Sequence, residues 1–130
     1  MIVVDASALM AILFDEPDAG AYAAALESAE DPLLSAGTMA EALIVAARRN
    51  IGAEMARLID GMPFEIVAVT SASARRIALA YQTWGKGRHG AALNFGDCFA
   101  YDLAKTLGCP LLCVGRGFGQ TDVDGVLRPR

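Results

Sequence analysis

The feature that most limits the fold of this chain is an alternation. Short apolar runs, suited to buried strands, are separated by longer stretches with helical patterning. Ile2-Val3-Val4-Asp5 is such a run, ended by a carboxylate, and it reads as a buried strand. A helix is expected over 6–14, stopped by Asp15-Glu16-Pro17, and an Ala-rich helix over 18–30. A brief strand at 33–35 leads to a helix over 38–49, with arginines in its last turn where the helix dipole favours them. Asn50-Ile51-Gly52 is a stop signal, and a further helix over 53–59 is closed by Gly61. A strand over 64–69 precedes a helix over 71–84 and a glycine-rich basic loop over 85–93. The helix over 95–107 is closed by Gly108 and Pro110, and the last strand runs over 111–114. Strands that alternate with helices need crossover connections, so the fold class is α/β with a parallel sheet.

The 130 residues suggest one domain, 1–130. A hydrophobic fraction of 55% excludes disorder. The longest uninterrupted apolar stretch, 8–14, is too short to span a bilayer, so neither a membrane anchor nor a secretion signal is expected. Three cysteines cannot form a complete intrachain disulfide framework, and a reducing, cytoplasmic setting fits better. Cys98, Cys109 and Cys113 show no C-x-x-C spacing and read as buried thiols rather than a zinc site.

Net charge is −4, yet it is unevenly spread. Residues 1–31 hold seven acids and no Lys or Arg, whereas 32–130 hold 11 basic and 8 acidic residues, a net of +3. A polyanionic substrate is therefore not excluded. Arg48-Arg49 and Arg75-Arg76 fall at a helix end and on a helix face, where solvation is the default expectation.

Three acids stand out by position. Asp5 ends the first strand, Glu41 is expected in the first turn of the helix after the second strand, and Asp97 in the first turn after the basic loop. Ligands of open α/β sheets bind at the carboxyl ends of strands, beside helix N-termini. Carboxylates converging there repel one another unless a cation joins them, and hard oxygen ligands suit Mg²⁺ or Mn²⁺. Each acid also has a capping role on offer. Asp5 would cap the first helix, Thr38-Met39-Ala40-Glu41 spells a capping box, and Asn94 with Asp97 spells another. The two roles are compatible. Two other enzyme classes fit poorly: Asp5-Ala6-Ser7 lacks the second aspartate of a phosphoryl-aspartate motif, and Lys105 lies inside a helix rather than after a late strand. Gly115-Arg116-Gly117-Phe118-Gly119 follows a strand but lacks dinucleotide-binding spacing.

Val4-Asp5-Ala6-Ser7-Ala8-Leu9, the helix carrying Glu41, and Leu93-Asn94-Phe95-Gly96-Asp97-Cys98 followed by Leu103-Ala104 together resemble a PIN domain. More narrowly, they resemble the VapC ribonuclease toxins. Tyr81 with Gly85-Lys86-Gly87-Arg88-His89, Pro110-Leu111-Leu112, and Phe118 with Thr121-Asp122 extend the likeness almost end to end. The resemblance implies a three-layer fold with a central parallel sheet, an acidic Mg²⁺ or Mn²⁺ site, and hydrolysis of RNA phosphodiesters. It also implies a cognate VapB-type antitoxin and a homodimer. Asp5, Glu41 and Asp97 match acidic positions of that family, with Asp5 and Asp97 as metal ligands. Ser7 is expected to orient a water at the metal, and Lys86, Arg88 and His89 to hold the RNA backbone. The family's further acid, in a turn after the last core strand, is missing at Arg116-Gly117. That gap leaves a second expectation, a weakened nuclease acting mainly as an antitoxin-binding protein.

Overall fold

A computed structural model describes residues 1–129. Five parallel strands form one sheet in the order β3-β2-β1-β4-β5. They are β1 (Ile2–Val4), β2 (Pro32–Ser35), β3 (Glu65–Val67), β4 (Leu111–Leu112) and β5 (Val126–Leu127). The helices between them are α1 (Ala6–Leu13), α2 (Ala19–Ser28), α3 (Ala36–Arg48), α4 (Gly52–Gly61), α5 (Ser71–Trp84) and α6 (Phe95–Leu107).

Because side chains alternate along a strand, the sheet sorts its apolar residues by parity. Val3, Leu33 and Leu111 pack with Ile77, Leu103 and Ala104 of α5 and α6. Ile2, Val4, Leu34 and Leu112 pack with Leu9, Ala42 and Met55 of α1, α3 and α4. β1 is buried on both faces, as expected for a central parallel strand. Its register, Val3 opposite both Leu33 and Leu111, makes it the strand on which the chain changes direction across the sheet. β2 and β3 build outward on one side, then β4 and β5 on the other. The crevice beyond the carboxyl ends of β1 and β4 is therefore the topological switch point, where open α/β sheets place ligands.

α5 and α6 have the expected limits, and each starts with a capping box, Thr70 with Ser73 and Asn94 with Asp97. α6 stops at Gly108, whose φ of 62° suits glycine. Other expectations need correction. α3 starts at Ala36, capped by Ser35 rather than Thr38, because the Ser35 hydroxyl accepts from the Gly37 N–H at 3.2 Å. Thr38 is thus buried inside the helix, and Glu41 lies in its second turn, out of reach of the cap amide. β3 and β4 are shorter than their β-forming runs. β5 was not legible: its two residues carry no pattern of their own and take strand form by pairing with β4.

Two of the arginines expected to be solvated have partners instead. Arg76 grips Asp102 with Nε and Nη2, at 2.7 and 3.1 Å, tying α5 to α6. The Arg49 guanidinium lies 3.9 Å from the centre of the Phe14 ring. All three cysteines are free and buried. Among the described residues no helix is long and apolar enough to cross a membrane.

The basic loop between α5 and α6 is folded on itself. Gly85 bridges to Leu93, Lys86 N–H donates to Leu93 C=O, and Arg88 and His89 N–H both donate to Gly85 C=O. It rests on the turn after β4: a Cβ at Gly117 would stand 2.5 Å from the Ala91 carbonyl oxygen. Gly117→Ala should therefore cost about 1–3 kcal/mol of stability by urea unfolding, as overpacking does. Gly115→Ala, which would meet open space, should be close to neutral. Equal effects of the two substitutions would mean that the loop does not press on the turn.

Candidate active site

The three acids reach the switch point from three different elements. Asp5 follows β1 directly, and its N–H continues the ladder by donating to Leu112 C=O at 3.0 Å. The same residue caps α1: Oδ2 accepts from the Ser7 N–H at 3.1 Å and from the Ser7 hydroxyl at 2.6 Å. Ser7 Oγ in turn accepts from the Val114 N–H at 3.1 Å. One hydroxyl thus fixes the Asp5 rotamer and ties the end of β4 to the start of α1. Asp97 is the third residue of α6. Its Oδ2 accepts from the Asn94 N–H at 2.9 Å while its own N–H donates to Asn94 Oδ1 at 2.8 Å. That cap uses one carboxylate oxygen and leaves the other.

Glu41 gets there by helix packing. α3 and α6 approach closely at two glycines. A Cβ at Gly37 would stand 2.3 Å from the Phe99 ring, and one at Gly96 would stand 2.1 Å from Glu41 Oε2. Glu41 is therefore laid against the first turn of α6, next to Asp97. Neither glycine stands out in the sequence as part of the site, because nothing local marks a helix crossing.

The electrostatics follow from burial and from this proximity. Burial pushes the Asp5 carboxyl up to about 6; Ser7 hydrogen bonding works against this, and the Asp97 charge adds to it. Burial, then the charges of Asp5 and Asp97, push Glu41 up to about 7. Burial also raises Asp97, opposed by the hydrogen bond from the Asn94 backbone. Asp5 Oδ1 and Glu41 Oε1 are buried with no hydrogen-bond partner, as is Thr38 Oγ1. Buried carboxylate oxygens without partners are costly, and a cation or bound water removes that cost. This donor set, hard and anionic, fits Mg²⁺ or Mn²⁺. Among the described residues no three acidic, histidine or cysteine side chains form a ready-made cage. The fit is therefore to a cation that keeps several of its waters, as Mg²⁺ does.

The other expected site residues are placed differently. Among the described residues no hydrogen bond or ion pair joins Lys86, Arg88 or His89 to the three carboxylates. Lys86 and Arg88 are exposed. His89 Nδ1 accepts from the Ala91 N–H at 2.9 Å, and its ring meets Trp84 edge-on at 4.8 Å. The loop is ordered by Trp84, whose indole N–H donates to Tyr101, whose hydroxyl donates to Asp122. In the turn after β4, the position of the missing acid is filled by packing, since Gly117 faces the Ala91 carbonyl. Arg116 is exposed. The thiols offer no nucleophile, because burial pushes Cys98 up to about 11 and Cys113 up to about 12.

The PIN domain family matches residues 2–124. Ribonuclease VapC30 of Mycobacterium tuberculosis is 44% identical over 131 aligned positions, which cover 98% of this chain and 100% of that protein. Ribonuclease VapC of Mycolicibacterium smegmatis is 42% identical, covering 96% of this chain and 99% of the relative. Among solved structures, Mycobacterium tuberculosis VapC20, described as a sarcin-ricin loop cleaving toxin, is similar with a TM-score of 0.76 at 15% identity. The match covers 99% of this chain and 100% of VapC20. FitAcB from Neisseria gonorrhoeae is similar with a TM-score of 0.70 at 22% identity, covering 98% of this chain and 97% of that one.

The raised carboxyls have a consequence for stability. A carboxyl that holds its proton more tightly in the folded state stabilises the fold at low pH and loses that contribution as pH rises through its folded value. With chelator present, the melting temperature should fall by several degrees between about pH 5 and about pH 8, through the values of about 6 for Asp5 and about 7 for Glu41. Asp5→Asn should flatten that slope. A melting temperature that climbs over this interval would show that the acids are not crowded in solution.

Proposed function

The chain belongs to the PIN-domain family, among the VapC ribonucleases, and from that premise we propose that it is the toxin of a type II toxin–antitoxin pair. In this reading it is an endoribonuclease that hydrolyses RNA phosphodiester bonds with Mg²⁺ or Mn²⁺. The observation that carries it is the convergence of Asp5, Glu41 and Asp97 at the switch point, with two buried carboxylate oxygens lacking any partner.

Asp5 and Asp97 would hold the cation, with Glu41 binding directly or through water. When bound, the cation supplies positive charge against the negative charge that develops at phosphorus, and it makes nearby water more acidic. The chain's own groups do the remaining work. Ser7 holds Asp5 by Oδ2, which leaves Oδ1, buried and without a partner, as the oxygen that would meet the cation. Asn94 likewise holds Asp97 by Oδ2. Glu41 Oε1, buried and without a hydrogen-bond partner, is free to accept a proton from the attacking water where Glu41 does not itself bind the cation. Lys86 and Arg88 would hold the RNA backbone. His89 joins them through Nε2, since Nδ1 is used within its own loop. Such contacts position the strand without reading its sequence.

The antitoxin would cover this pocket. An apolar groove of about 370 Å³ runs beside Glu41, lined by Ile44, Val45, Phe95 and Phe99, with Phe95 69% exposed and Ile44 54% exposed. A segment with apolar side chains for the groove and an arginine for the carboxylates matches both its shape and its charge. A homodimer and a cytoplasmic setting belong to the same reading.

Asp5→Asn and Asp97→Asn should each reduce metal-dependent cleavage of structured RNA by roughly a hundredfold or more, with the circular dichroism spectrum unchanged. Asparagine keeps an acceptor oxygen at both positions, so the caps survive. Gly96→Ala should have a similar effect on cleavage by displacing the Glu41 carboxylate. If both asparagine variants cut like the parent, the site is elsewhere.

A further inference from the structure

Resting on the reading of this chain as an RNA-cleaving enzyme, we propose a second backbone-binding site. The polar cleft past the ends of β4 and β5, flanked by Arg116 and Arg128, receives a phosphate of the RNA strand next to the one being cut. The cleft has a volume of about 360 Å³. Its walls come from the residues that follow two neighbouring parallel strands, so it opens on the same edge of the sheet as the carboxylates. Val114 lines it, and the Val114 N–H donates to the Ser7 hydroxyl that holds Asp5. The cleft and the acidic site are thus separated by one hydrogen-bonded link. The Tyr22 hydroxyl donates to the Cys113 carbonyl at 2.7 Å and braces the cleft at the end of β4.

Among the described residues the two arginines are unpaired, as Arg48, Arg75 and Arg88 also are, but only these two line the same cleft. Arg76 is bound to Asp102, Arg57 to Glu54, and Arg49 covers Phe14. Among the described residues neither Arg116 nor Arg128 has an ion pair or a side-chain hydrogen bond. Two guanidinium groups facing one cleft repel unless an anion lies between them, and each offers a planar fork that fits phosphate oxygens. Asp18 is also in the lining, so the three side chains leave one net positive charge. The anion is thereby confined to the arginine side. The turn in which the resemblance leads one to expect an acid carries Arg116 instead. A charge lost to the cation there becomes a charge gained for the substrate.

The test uses Arg116→Ala, Arg128→Ala and the double variant. Both side chains are exposed, so the fold is not at stake. Binding of a labelled single-stranded oligoribonucleotide is read by fluorescence anisotropy, with chelator present, over a range of salt. Each removal should raise Kd several-fold, and the double variant should reduce the slope of log affinity against log salt by about 0.7, the value for one phosphate contact on a single strand. Arginine-to-lysine versions should recover the slope. In metal-dependent cleavage the loss should fall on KM more than on kcat. An unchanged Kd and slope in the double variant overturns the cleft, while loss of cleavage in Asp5→Asn leaves the nuclease reading standing. A kcat defect at unchanged Kd also overturns it. If the parent neither binds nor cuts RNA, the nuclease reading itself falls.

Discussion

Like charges do not gather unaided, and the site depends on what forces them together. Asp5 is held by Ser7 and by its place in the β1–β4 ladder. Asp97 is held by the capping box with Asn94. Glu41 has no such tether: it is pressed in by the contact of α3 with α6, which Gly37 and Gly96 permit. The repulsion is sustained by the packing of two helices whose apolar faces lie on opposite sides of the sheet. Burial without a counter-charge shows up as three raised carboxyls and as buried oxygens without partners. Stability is spent there on holding like charges together, which is characteristic of functional sites.

Most of the framework was legible from the chain because its signals are local. Ile2-Val3-Val4 can only be a buried strand, and Asn94 three residues before Asp97 spells its own cap. The elements that escaped are those decided by partners distant in sequence. β5 is a strand because β4 is beside it. The pairing of Arg76 with Asp102 links residues on separate helices, and a helix-face arginine looks solvated until the second helix is in place. The capping box at Thr38 was a plausible local pattern that lost to Ser35, which already stood at the end of a strand with extended backbone. The three acids were picked out by position, Asp5 at a strand end and Glu41 and Asp97 near helix starts, and the fold brings their charges within reach of one another. What brings Glu41 to the others, a glycine on another helix, has no signature along the chain.

The turn after β4 shows how one substitution affects several functions. Gly117 is where the basic loop rests, so the turn and the loop that carries Lys86 and Arg88 are set in place together. An acid at Gly117 would meet the Ala91 carbonyl, and the residue before it projects a guanidinium at the mouth of a different cleft. Read from sequence alone, Arg116-Gly117 looks like decay; with the loop in place, it is a consistent arrangement.

β1 sits at the centre of the sheet and precedes the strands on both of its sides in chain order. Its two edges are covered at very different moments of synthesis: Leu33 of β2 arrives early, while Leu111 of β4 arrives only after four further helices. Asp5 therefore exists long before the wall that braces it, because Ser7 cannot bond to Val114 until β4 and the turn after it are available. Asp97 too is late. A growing chain thus carries each acid separately, and the charge cluster assembles only once β4 has joined the sheet.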